Sequence, residues 1–204
     1  MHRQTRSWLV GGGVVVALVV GLVLWGNATK PVYTGQVGER PKLGPETATV
    51  KVEEFSDFQC PACKAAQPTV DDVLKTFADR ISFSYRHYPL ISVHPLAFRA
   101  ALAAECANDQ GKFWPYHDVL FQKQPAFSRD ELVGYARDLR LSLDGEQGFV
   151  ACLDSRARNE TVRADSREGD SRGVNSTPTF FVNGEKVSNW QDLKQVIQGK
   201  LIGG

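Results

Sequence analysis

The chain has almost no imbalance of charge. Its 24 Lys and Arg stand against 23 Asp and Glu, a net +1 over 204 residues. That removes any general electrostatic case for nucleic acid as a partner. Cysteine is scarce, four residues in all, and only one pair is closely spaced. Structural zinc takes four ligands, usually as two close pairs. There is no second C-x-x-C and the four histidines are scattered, so neither a metal nor another cofactor is expected. Internal repeats and low-complexity runs are missing after residue 26, which excludes a repeat architecture.

The first 26 residues are different. Positions 8–25 (WLVGGGVVVALVVGLVLW) carry no charge, with Arg3 and Arg6 before them and Trp8 and Trp25 at the ends. Eighteen helical residues span about 27 Å, close to the hydrocarbon core of about 30 Å. Residues 1–26 therefore read as a short cytoplasmic N-terminus and a transmembrane anchor. The arginines place the rest of the chain outside the cytoplasm. A cleaved signal peptide is the alternative, with Gly26-Asn27-Ala28 as a small-residue cleavage site, although the apolar run exceeds the usual 7–15 residues or so. Both readings export the domain. Residues 27–46, rich in Pro, Gly and polar side chains, read as a linker, and 47–204 as one domain.

Within that domain, Thr47–Phe55 and Ile81–Tyr88 have strand character. Apolar residues at three- and four-residue spacing predict a helix from Cys60 to about Asp79, with Pro61 in its first turn and Pro68 inside it. Residues from about 94 to 172 are helical almost throughout: Pro95–Asn108, Phe113–Gln122, Ser128–Leu139 with a Ser128/Glu131 capping box, Asp144–Leu153 and Arg156–Arg172. Thr177–Val182 returns to strand, Asn183-Gly184 signals a hairpin to Glu185–Val187, and Trp190–Gln198 closes as a helix. With the helical block removed, the order is β-α-β-β-β-α.

Cys60-Pro61-Ala62-Cys63 lies between the first strand and the first helix. A thiol at a helix N-terminus faces unpaired N–H groups and the positive end of the helix dipole. Both favour the thiolate, the reactive form of cysteine. Cys60 reads as the nucleophile. Cys63, one turn in and less exposed, reads as the thiol that resolves a mixed disulfide.

EEFSDFQCPACK (53–64), FSYRHYPL (83–90), HPLAFRAALAAECANDQGKFWPYHDVLF (94–121), FVACLDS (149–155) and GVNSTPTFFVNG (173–184) together resemble the DsbA-like branch of the thioredoxin superfamily. The resemblance implies an α/β thioredoxin fold, with a helical insert at about 94–172 between the β-α-β half and the hairpin-α half. It implies a thiol–disulfide oxidoreductase working outside the cytoplasm. Pro178 matches the family's cis-proline beside the redox pair, and Thr177 the residue whose backbone receives substrate. Glu54 matches the buried acid beneath the pair. Because Glu53 and Glu54 alternate across the strand, only one faces inward. Cys106 and Cys152 match a second, structural disulfide; two separate buried thiols are the alternative. Lys64 reads either as a support for the thiolate or as a solvated helix residue. His87 and His94 border the site or pack the strand-to-insert junction. Phe113, Trp114, Tyr116 and Phe121 read as the core of the insert.

The expected activity is to introduce disulfides into secreted or cell-envelope proteins, with reduced or unfolded exported chains as substrates and a membrane thiol oxidase as redox partner. The dipeptide Pro61-Ala62 lacks the His of strongly oxidising relatives. A reductase or isomerase is therefore the enzymatic alternative, and a tethered holdase with a structural disulfide the non-enzymatic one.

Overall fold

The computed structural model describes residues 40–203. The expected anchor and most of the expected linker lie outside the described residues. Among the described residues no helix is long and apolar enough to cross a membrane.

Five strands form one mixed sheet: β1 (Lys42–Leu43), β2 (Val50–Ser56), β3 (Ile81–His87), β4 (Thr179–Val182) and β5 (Glu185–Lys186). Their spatial order is β1-β3-β2-β4-β5, with β2 and β3 parallel and the other pairs antiparallel. The parallel pair requires a crossover, and α1 (Pro61–Phe77) supplies it. Its buried side chains Cys63, Ala66, Val70, Val73 and Phe77 recur at the helical period. Pro68 lies inside the helix.

Sequence alone puts the domain's first residue at 47. The sheet instead begins at β1, where Lys42 pairs with Ser84 and Leu43 with Phe83. Gly44 follows with φ +84°, and a Cβ there would meet the Ile81 carbonyl oxygen at 2.0 Å. Only glycine passes so close to the neighbouring backbone. The Trp114 indole N–H donates to the Lys42 carbonyl at 3.3 Å, tying this edge to the insert.

The insert between β3 and β4 contains α2 (Ala97–Asn108), α3 (Phe113–Lys123), α4 (Arg129–Asp138), α5 (Phe149–Ser155) and α6 (Asn159–Ser171). The Ser128/Glu131 capping box opens α4 as expected. The helix expected from Asp144 begins only at Phe149. A Cβ at Gly148 would meet the Leu143 and Asp144 carbonyls at 2.5 Å, so the chain folds back on itself before α5 can start. Arg156, expected in the next helix, is the left-handed cap of α5, with φ 54°. The closing helix divides into a 3-10 turn (Trp190–Asp192) and α7 (Leu193–Gly203).

Strand alternation sends Val50, Val52, Ile81, Phe83, Phe180 and Val182 to one face, where α1 and α7 cover them. Phe55 and Phe181 occupy the other face with Val174. Phe113, Tyr116 and Phe121 are buried in the insert, in one apolar cluster with Phe58 and Tyr85; Trp114 is partly buried against it. The insert is cross-linked by Cys106 and Cys152, which form a disulfide between α2 and α5. Closing a loop with a sequence separation of 46 stabilises the fold by about 4 kcal/mol through lost unfolded-state entropy.

Candidate active site

β2 ends at Ser56, and four residues later Cys60 caps α1 in extended conformation. The turn between them is held from two sides. The Asp57 carboxylate accepts from the backbone N–H of Gln59 at 2.7 Å and of Leu90 at 2.8 Å, and lies 2.8 Å from His94 Nδ1. Gln59 Oε1 accepts from the Leu96 N–H at 2.8 Å. From the insert, Gln124 Nε2 donates to the Phe58 carbonyl at 2.7 Å and to the Cys60 carbonyl at 3.0 Å. Nothing in the local sequence points to Asp57, Gln59 or Gln124; Gln124 is 64 positions from the carbonyl it holds.

Cys60 and Cys63 are free thiols. Cys60 is 7% exposed and Cys63 0%, the order expected for nucleophile and resolving thiol. Cys60 Sγ lies 3.4 Å from the Thr177 carbonyl. The Asp57 backbone N–H approaches Cys63 Sγ at 3.5 Å. The hydrogen bond from Cys63 holds the Cys60 thiol down to about 5, against the opposing effect of burial; Thr177 and the helix-terminal N–H groups of Ala62 and Cys63 add to it. Burial pushes Cys63 the other way, well above an ordinary thiol, and its neighbour Cys60 raises it further. Two adjacent thiols thus differ sharply in acidity. Lys64 takes no part, since its ammonium donates to the Gln122 carbonyl at 3.3 Å.

The Thr177–Pro178 bond is cis, which brings the Thr177 backbone beside the motif. A groove of about 370 Å³ opens there, lined by Ala62, Thr177, Pro178, Val187 and Trp190. A second cis bond, Gln124–Pro125, precedes the start of α4. His87 is buried and packs the junction, with Nε2 2.8 Å from Glu105 Oε1.

Glu54 is the inward glutamate, 0% exposed. Burial raises its carboxyl to about 7, tempered by the nearby Ser56 hydroxyl. Glu53 is turned to the opposite face, against Arg86 and Arg172. Among the described residues no cluster of His, Cys, Asp and Glu has the arrangement of a metal site.

A model of the thioredoxin family matches residues 36–199. The chain belongs to the thioredoxin family. It is similar to oxidised BdbD from Bacillus subtilis, at 26% identity and a TM-score of 0.69 over 79% of this chain and 92% of that one. A thioredoxin-like oxidoreductase from Silicibacter pomeroyi DSS-3 shares the fold at 24% identity, with a TM-score of 0.68 over 81% and 93% of the two chains. The domain thus has the thioredoxin fold of these solved structures. In sequence it is 43% identical over 143 residues to a protein named Na(+)/H(+) antiporter NhaA 1 from Salinispora arenicola. That match takes in 70% of this chain and 21% of the relative, so the chain spans about a fifth of its length.

Proposed function

We propose that this thioredoxin-family domain is an exported, membrane-tethered oxidoreductase that introduces disulfides into reduced or unfolded secreted and cell-envelope proteins. The observation that carries the proposal is the placement of the two thiols: Cys60 caps α1 with its Sγ 3.4 Å from the Thr177 carbonyl, and Cys63 lies fully buried one turn in, which lowers the first thiol and raises the second. A stabilised Cys60 thiolate favours the reduced form, and a protein whose reduced form is stabilised is an oxidant of its substrates. A substrate thiolate attacks Cys60 Sγ of the Cys60–Cys63 disulfide. The bond breaks, Cys63 takes the electron pair and a proton, and the substrate is held as a mixed disulfide. A second substrate thiolate then attacks the substrate sulfur, forming the substrate disulfide and releasing Cys60 as the thiolate. The Thr177–Pro178 backbone, beside Cys60 Sγ, is the edge to which an extended substrate adds as a strand, and the adjoining groove is the natural seat for it. A membrane thiol oxidase restores the disulfide. The uncharged run at 8–25 and the antiporter name of the Salinispora relative support tethering at a membrane.

The equilibrium reduction potential of Cys60–Cys63, measured in glutathione buffers on the full chain in detergent with Cys106–Cys152 intact, tests the direction. A value near about −120 mV is expected. A value near about −270 mV would make the domain a reductant. An absence of exchange would leave a holdase with a structural disulfide.

A further inference from the structure

Beneath Cys63 lies a set of buried polar groups that thiol exchange by itself does not require. Glu54 and Ser56 leave β2 on the same face, two residues apart. Tyr85 is Glu54's direct partner across the parallel β2–β3 pair. Glu54 and Tyr85 are 0% exposed and Ser56 1%. Both Glu54 carboxyl oxygens, the Ser56 hydroxyl and the Tyr85 phenol have no partner in the protein at full hydrogen-bond geometry, although the Ser56 hydroxyl lies near enough to Glu54, Cys63 and Tyr85 to lower each of them. A buried polar atom without a partner costs stability, and native cores hold few of them. Here four such atoms, from three side chains on adjacent strands, share one patch under the redox pair.

The Tyr85 ring is fully accounted for by packing. It stacks on Phe58 at 5.2 Å, meets His117 edge-on at 5.1 Å and lies 5.5 Å from Phe113. A phenylalanine would keep every one of these contacts. The hydroxyl alone is unexplained. Burial and the nearby Glu54 and Cys63 keep that phenol protonated, so it offers a hydrogen-bond donor toward the acid.

We propose that Tyr85 and Ser56 are positioning residues for the proton that passes between Glu54 and Cys63, their hydroxyls holding a buried water that joins carboxyl to thiol. Two hydroxyls, a carboxyl and a thiol supply the two to four polar partners such a water needs. The inference rests on the reading of Cys60–Cys63 as the redox pair. When a substrate thiolate attacks Cys60 Sγ, the new bond joins substrate sulfur to Cys60 and the Cys60–Cys63 bond breaks. The electron pair goes to Cys63 Sγ. The protonated Glu54 gives its proton to the water, and the water gives one to Cys63. Glu54 is left ionised and regains a proton from solvent. No further oxidant or reductant enters, since the electrons come from the substrate thiolate. The other titratable groups around this patch are Cys60 at the cap of α1, Asp57 in the turn, His87 on β3 and His117 on α3; β4 presents Phe180 opposite Glu54.

The test follows reduction of the Cys60–Cys63 disulfide by a dithiol peptide in stopped flow, as a function of pH, in the parent chain, Tyr85→Phe, Ser56→Ala and Glu54→Gln. Thiolate absorbance of the reduced forms is titrated alongside. Tyr85→Phe is expected to slow the step about tenfold, a fraction of what general acid catalysis supplies. It is also expected to move the Glu54 titration in the rate profile to higher pH, because a donor to the carboxylate is lost. The Cys60 titration should stay where it is, which a merely structural disturbance would not ensure. Ser56→Ala reads the same profile should the Phe substitution fail to fold. A parent chain that exchanges, with both hydroxyl variants superimposing on it while Glu54→Gln is slow, overturns the relay alone. A parent chain that exchanges no disulfide overturns the redox reading and the relay together.

Discussion

On the face of the sheet covered by α6, Glu53 lies 3.0 Å from an Arg86 guanidinium nitrogen and 2.8 Å from one of Arg172. Arg172 also lies over the Phe181 ring, 3.9 Å from its centroid. On the opposite face, one residue further on, Glu54 meets no cation and its carboxyl oxygens have no protein partner. Burial pushes the Glu53 carboxyl up, but the Arg172 and Arg86 hydrogen bonds outweigh it and leave the carboxyl below its ordinary value. Burial alone dominates at Glu54 and raises it to about 7. The same residue type, in one strand, is therefore held as an anion on one face and pushed toward the neutral acid on the other. Pairing removes a carboxyl from proton chemistry, and burial without pairing makes it available.

Glu54→Gln is the largest break in this contrast. It removes the proton donor proposed for Cys63, and the Cys63-dependent step should slow about 10²-fold, the lower end of general acid catalysis. Its effect on stability has a defined sign. The folded-state pKa of Glu54 lies above its unfolded value, so its relative contribution is complete below about pH 4.5 and is lost as pH rises toward about 7. Above that window the parent chain gives up about 3 kcal/mol, because each tenfold change in proton affinity is worth about 1.4 kcal/mol. Glu54→Gln should thus match or trail the parent at low pH and exceed it in denaturant midpoint at pH 8. A variant with unchanged kinetics, or a stability difference flat with pH, would show that Glu54 is not the buried acid described.

Glu53→Gln sharpens the contrast from the other side. The Glu53 carboxyl is held below its usual value, so its stabilisation is present above the unfolded pKa and is lost as pH falls through the folded one. The substitution should cost about 1–2 kcal/mol at pH 7, since two charge-assisted bonds weaken at a partly buried site. The cost should shrink as the solution is acidified. Disulfide exchange should keep its parental rate. Urea unfolding at pH 7 and pH 3.5 checks the first part, and the stopped-flow assay the second. Opposite pH trends at adjacent glutamates are the signature that two faces, rather than one strand, decide the chemistry.

Much of this is legible in the chain. Strand alternation gives the inward side chain to either Glu53 or Glu54, and the match to the buried family acid chooses Glu54. The C-x-x-C at a strand–helix junction locates the thiols, and Asn183-Gly184 places the hairpin. What escapes is either short or non-local. β1 is two residues long, too short for alternation to show, and it is held by pairing with β3 and by the Trp114 bond. The break before α5 depends on how closely Gly148 passes the Leu143 and Asp144 carbonyls, a tertiary fact. Ser56 and Tyr85 look like ordinary strand residues until the β2–β3 register sets Tyr85 opposite Glu54. Gln124 carries no local signal, because its partners lie 64 and 66 positions away.

Gln124 extends the comparison to the motif itself, where a paired side chain holds the turn before Cys60 instead of isolating a charge. Its amide N–H groups hold the Phe58 and Cys60 carbonyls, fixing the turn that aims Cys60 Sγ at the Thr177 carbonyl. Gln124→Ala removes two hydrogen bonds, each worth about 1 kcal/mol net, while the Cys63 bond to Cys60 and the helix N-terminus remain. The Cys60 thiolate should lose part of its stabilisation, and its titration midpoint should rise by up to about one pH unit, equivalent to about 1.4 kcal/mol. The potential should move toward the reducing side by up to about 30 mV, the equivalent of the same energy. Gln124→Glu keeps the length but removes the donors, so it should reproduce the change; Gln124→Asn, which shortens the reach, should fall between. If all three variants titrate with the parent, the motif is held by Asp57 and Gln59 alone and the insert contributes only packing to the thiol.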